Sequence, residues 1–151
     1  MGSDISPSPH RKDSKKAEKG KDMTALTYDS LKESGLKYLE RFPASSGHFR
    51  RVMHRKIKRA VFMNAYIDED KALAWADQIV ESFTQTGLLD DKLYATAMCR
   101  SLRRKGHSKR AVFAKLQAKS VDSPDIAQAI EKIDAELYQA QTLTSERSEE
   151  Y

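Results

Sequence analysis

The chain holds one cysteine, Cys99. No intrachain disulfide can form, so a reducing compartment is the simpler setting and a disulfide-stapled scaffold is excluded. Long apolar runs are also missing. None approaches the roughly 20 residues that cross a bilayer, and the N-terminus lacks the apolar core of a signal peptide. A cytoplasmic protein without membrane contact is the expectation. The motifs of chemistry are absent too: there is no phosphate-cradling glycine loop, no His-Glu-x-x-His and no cysteine pair. His48 and His54 stand six residues apart, off a common helical face and far in sequence from any carboxylate, which favours solvated or phosphate-facing imidazoles over metal ligands. Cys99 has no evident histidine partner and reads as packing, just off the buried stripe of its helix. Asp90 and Asp91 read as a helix cap rather than an acid pair. Trp75 reads as packing rather than a base platform. The expectation is a protein with no catalytic residues, no metal and no cofactor.

Acidic residues are scarce in two particular places. None occurs between Phe42 and Ile67, and none from Lys92 to Val121, a window that holds nine Lys or Arg. The whole chain of 151 residues carries 27 Lys plus Arg against 22 Asp plus Glu, a net +5. That excess is ordinary; its concentration in two windows is what points to an anionic partner.

What is present is helical. Residues 1–23 hold almost nothing apolar and read as a disordered basic tail. Residues 24–141 read as one domain. Leu31, Gly35, Tyr38, Leu39 and Phe42 share a face, and Pro43 ends that helix. Ser45 or Ser46 caps a second, with Phe49, Val52, Met53, Ile57 and Ala60 inward. Asp68-Glu69-Asp70 opens a third, with Leu73, Ala76, Ile79, Val80 and Phe83 inward. Asp90 or Asp91 caps a fourth, with Tyr94, Ala97, Met98, Ser101 and Leu102 on one face. Its last turn is crowded with Arg103, Arg104 and Lys105, and Gly106 supplies the left-handed residue that closes it. Ser108 caps a fifth, with Val112, Phe113 and Leu116 inward. Asp122 or Ser123 and Pro124 start a sixth, with Ile126, Ile130, Ile133 and Leu137 inward. Residues 142–151 read as a frayed polar tail.

These six helices repeat. Ser45, Phe49 and Met53 match Ser108, Val112 and Leu116 at an offset of 63 positions. The fold expected is all-α, two tandem three-helix repeats (about 28–87 and 88–141) stacked on a continuous core into an extended or curved array. If the second helix of each repeat lines one side of that array, the charges sum into a strip for phosphates. The residues expected there are Arg50, Arg51, Arg55, Lys56 and Arg59 from the first repeat, and Arg103, Arg104, Lys105, Lys109, Arg110 and Lys115 from the second. Apart from Gln117, neither basic helix has the Asn or Gln that reads adenine, so backbone contact is favoured over sequence reading. Few aromatics look spare, so base stacking is not indicated.

The block Gly87-Leu-Leu-Asp-Asp-x-x-Tyr94-Ala95, the run Arg103-Arg-Lys-Gly-x-Ser108, and Tyr38-Leu39-x-Arg41 with Ser45 and Phe49 resemble the RecX family, small bacterial regulators of the RecA recombinase. The likeness covers about residues 28–137. It implies tandem three-helix repeats that lie in the groove of the RecA–DNA filament, touching both protein and DNA. It further implies inhibition of ATP hydrolysis and strand exchange, with no catalytic residue or cofactor of the regulator's own. A monomer acting on that filament is the expectation. The sequence departs from the family pattern at Phe42-Pro43, at His48, and in a longer joint from Val61 to Asp68. Two other readings fit the basic surface: a sequence-independent DNA-binding protein without a RecA role, and a helical adaptor for an acidic protein.

Overall fold

The structure, a computed structural model, describes residues 26–149. Six helices follow one another: α1 (Tyr28–Arg41), α2 (Ser46–Met63), α3 (Glu69–Gln85), α4 (Asp91–Arg104), α5 (Lys109–Ala118) and α6 (Ser123–Glu149). No strand occurs among the described residues. The tail expected at residues 1–23 lies outside them.

The starts of α1 to α5 are each set by a side-chain oxygen that accepts from an amide the helix itself leaves unpaired. Thr27 and Ser30 form a reciprocal capping box on α1. Ser45 accepts from the His48 amide, Asp68 from Lys71, Asp90 from Leu93 and Ser108 from Ala111. Of each pair of candidate caps at these sites, the first residue caps; the second, Ser46 or Asp91, is free for another use. At the end of α4, Gly106 has φ +90°. The Gly106 and His107 amides there donate back to Arg103 and Leu102, as a left-handed residue after a helix allows. The same closure follows α5, with Ser120 in the left-handed position at φ 64°.

The repeat keeps its register through the start of the second helix and loses it by the third. Both α1 and α4 have 14 residues, and α1/α4 and α2/α5 start at the offset of 63. The starts of α3 and α6 differ by only 54. The discrepancy lies in the second helix: α2 has 18 residues and α5 has 10.

A continuous core does not form. Leu31, Phe49, Met53, Ile57, Ile79 and Phe83 belong to one buried cluster, and Cys99, Val112, Leu116, Ile126 and Ile133 to another. Each fully buried side chain of this kind contributes about 1.5–3 kcal/mol relative to an exposed position. A three-helix unit with a phenylalanine at its centre closes on itself; Phe49 stacks on Phe83 at 5.7 Å between ring centroids.

The fourth helix is also rotated from the expected face. Ala95, Cys99 and Leu102 are buried, Tyr94 and Met98 are half-buried, and Ala97 and Ser101 face solvent. Cys99 therefore sits within the stripe, fully enclosed, rather than beside it. Phe42, expected inward, is 49% exposed because α1 has already ended at Arg41. Trp75 is half-buried at the edge of the first cluster, with the Lys71 ammonium 5.6 Å over its ring. Helix α6 continues through Glu149, with every side chain from Tyr138 onward exposed.

Candidate nucleic-acid interface

Two cores need a joint, and the joint shapes the basic surface. The C-terminal end of α5 meets the N-terminal end of α2. Carbonyls at a helix end lack partners and carry the negative pole of the dipole. Here Arg51 Nη2 donates to the Ala118 carbonyl at 3.1 Å, and the fully buried Ser45 hydroxyl donates to the Lys119 carbonyl. At the other pole, the amide and hydroxyl of Ser46 donate to the Asp91 carboxylate at 2.6 and 2.7 Å. Gly47 allows the close approach, since a Cβ there would lie 2.7 Å from Ser120 Cβ. Beside this polar clasp, a cleft of about 300 Å³ separates Leu39, Ala44 and Leu88 from Leu93, Tyr94 and Ala97. Burial, with the Tyr38 phenol as a smaller cause, pushes the Tyr94 hydroxyl up from its ordinary pKa.

Cations gather next to the clasp. His48, Arg51, His54, Arg55 and Lys58 line a depression of about 400 Å³ along α2. Lys119 adds its charge from the end of α5. Burial first, then Lys119, Arg51 and Arg55, hold the His48 imidazole below its ordinary pKa. The Tyr38 hydroxyl lies 3.4 Å from His48 Nε2. On the far side of the depression, His54 Nε2 is 3.5 Å from Asp77 Oδ1, a pairing distance without hydrogen-bond geometry. No group of His, Cys, Asp or Glu placed to hold a metal occurs among the described residues.

The residues expected from sequence divide into free and engaged. Arg55, Lys56 and Arg59 are exposed and unpaired among the described residues, but helical spacing turns Lys56 roughly 140° away from Arg51. Arg50 is held by Asp77, Nε to Oδ1 at 2.8 Å. In the second repeat, Asp134 draws in two of the expected cations. Arg103 Nε lies 2.8 Å from Oδ1 and its Nη1 donates to the His107 carbonyl, while Lys109 Nζ lies 3.2 Å from Oδ2. Burial raises the Asp134 pKa, but the hydrogen bonds and charges of Arg103 and Lys109 outweigh it and hold the carboxyl below its ordinary value. Arg104, Lys105, Arg110 and Lys115 remain exposed. They do not share a face: Arg104 and Lys105 end α4, Arg110 borders an apolar groove between α5 and α6 with Phe113 and Ile130, and Lys115 lies on another side of α5.

The expected set left out Lys58 and Lys119, and His48, read from sequence as solvated or phosphate-facing, lines the same depression. Sequence reading also judged few aromatics to be spare and named none, yet Phe62 is 90% and Tyr66 98% exposed. Helical spacing held the signal for Phe62, which follows Arg51, Arg55 and Lys58 on one face.

Among the described residues, no helix is long and apolar enough to cross a membrane. Residues 90–130 match the family model described as RecX, second three-helix domain. The chain is also similar to a protein from Myxococcus xanthus (strain DK1622) named Regulatory protein RecX. The two are 32% identical over 100 residues, covering 66% of this chain and 53% of that one. The chain thus spans about half the length of the curated relative it matches. No solved structure matches.

Proposed function

We propose that the chain is a RecX-type regulator, a reading supported by the match of residues 90–130 to the second three-helix domain and by the likeness to the Myxococcus protein, and that it binds the RecA–DNA filament and inhibits its ATPase and strand exchange. The observation that supports this best is the stripe of cations along α2 beside the joint, where Arg51, Arg55, Lys58, His48 and Lys119 present charge to a phosphate backbone. The working unit is the pair of repeats, residues 28–87 and 88–141, acting as a monomer in the cytoplasm. It needs no catalytic group, since inhibition comes from occupying the groove.

Titration into the single-strand-dependent ATPase of RecA tests the reading. Inhibition well below one copy per RecA is the expected result. Charge reversal at Arg55 with Arg59, and at Arg104 with Arg110, removes inhibition while helical content is kept. Full inhibition by both folded variants would sink the assignment of these cations. A plain DNA-binding role without RecA predicts no ATPase effect, with tight binding to naked DNA that falls steeply with salt, by about 0.9 in log–log slope per phosphate engaged.

A further inference from the structure

The far end of α2 carries two aromatic rings that pack on nothing. Phe62 is 90% exposed in the last turn, and Tyr66 is 98% exposed in the turn that follows. A lone exposed apolar residue is ordinary on a protein surface. What distinguishes these is their place. Successive helical residues turn by about 100°, so Arg51, Arg55, Lys58 and Phe62 fall in one stripe about 16 Å long. The stripe exists because α2 is long. The offset of 63 sets Ala118, where α5 ends, opposite Arg55, and α2 then runs on through residues 56–63. That extension supplies Lys58, Arg59 and Phe62. Beyond it, the Asn64 side chain accepts from the Tyr66 amide at 3.1 Å and the Asn64 carbonyl from Ile67 at 3.3 Å, so a defined turn carries Tyr66.

We propose that Phe62 and Tyr66 form a stacking platform for unpaired nucleic-acid bases, at the end of a phosphate track formed by Arg51, Arg55 and Lys58. The chemistry favours a base over an apolar protein surface. The centre of a protein interface is depleted of charge, whereas Phe62 stands in line with three cations: Arg55, which is exposed and unpaired among the described residues, Arg51, which donates to the Ala118 carbonyl, and Lys58, whose ammonium lies 3.8 Å from the exposed Glu69 carboxylate. Alternating phosphates and bases require that mixture, and every base offers a π-face to an aromatic ring. The inference rests on the reading that this face of α2 binds nucleic acid, and it adds a preference for single strands that phosphate contacts alone do not give.

The test compares two strands of equal length and charge, oligothymidine and an abasic deoxyribose-phosphate polymer, at one salt concentration. The wild-type chain binds oligothymidine about fivefold or more tighter than the abasic strand. The F62A/Y66A variant loses that preference and binds both strands with the wild type's abasic affinity. Both rings are exposed, so its thermal midpoint stays that of the wild type. F62W restores the preference when paired with native Tyr66. Equal wild-type affinity for the two strands overturns the platform and leaves phosphate binding standing. Failure to bind either strand overturns both. A variant weakened equally on the two strands assigns the rings to some other contact and also overturns the platform.

Discussion

Replacing Asp91 with alanine removes the one carboxylate that crosses the joint among the described residues. It accepts twice from Ser46, at 2.6 and 2.7 Å, from groups that are half-buried. A hydrogen bond to a charged group contributes about 1.5–3 kcal/mol. Opening the joint returns the Ser46 amide to water, which brings the loss for the pair to about 2–4 kcal/mol. That loss falls on the coupling between repeats, because the two cores share no residue. Asp91→Asn keeps an acceptor for the amide and loses the charge, at a cost of about 1 kcal/mol. The assay is urea unfolding followed by two signals. Trp75, the chain's one tryptophan, reports the first core, and far-ultraviolet circular dichroism reports both. In the wild type the two curves coincide. In Asp91→Ala they separate, because each repeat then unfolds on its own stability. Coincident curves at an unchanged midpoint would refute the claim that the clasp couples the repeats.

Further predictions follow from the titrating groups. The Asp134 carboxyl is held low in the folded chain, so its stabilisation is complete above its unfolded value of 3.8 and is lost as pH falls through the lower folded value. Acid unfolding of Asp134→Asn shows that contribution gone, with the ion pairs of Arg103 and Lys109 lost. His48 is held low by burial first and then by the charges of Lys119, Arg51 and Arg55, and is therefore neutral in the free chain near neutrality. A phosphate against it offsets those charges and raises its pKa, so affinity for a DNA strand grows as pH falls from neutrality; His48→Gln flattens that slope, and an unchanged slope would remove His48 from the contact. Cys99 is fully buried, and burial, ahead of the Asp134 charge, pushes its thiol up, so a thiol-specific reagent reacts only after unfolding. Rapid reaction in the native chain would contradict that enclosure.

How much of this the sequence carried depends on how local each feature is. Ser108 was legible as a cap, Ser45 as one of two candidates, Asp68 as the first of three acids that open α3, and Gly106 as a helix end, because their partners lie within five residues. The face of α4 was misread because Ala95, Ala97, Cys99 and Ser101 are all small and size does not separate inside from outside. The acid-free windows misled in a more instructive way. They are free of acid along the chain but not in space, since α3 brings Asp77 to Arg50, and α6 brings Asp134 to Arg103 and Lys109. The clasp itself joins residues at least 45 positions apart, and no local pattern marks Ser46 and Asp91 as partners.

The joint is head-to-tail, and head-to-tail contacts between like units can propagate into open filaments. The socket is the start of α2: Ser45, Ser46 and Gly47, which admit the end of another second helix. The second repeat has the equivalent positions at Ser108, Lys109 and Arg110. Where the first repeat offers a small hydroxyl and no Cβ, the second offers two long cations, one already committed to Asp134. A backbone cannot come as near to Arg110 as Ser120 comes to Gly47. Two chains therefore cannot join end to end by copying the contact that unites the two halves of one, and the same three positions that lock the repeats together keep the molecule from polymerising through them.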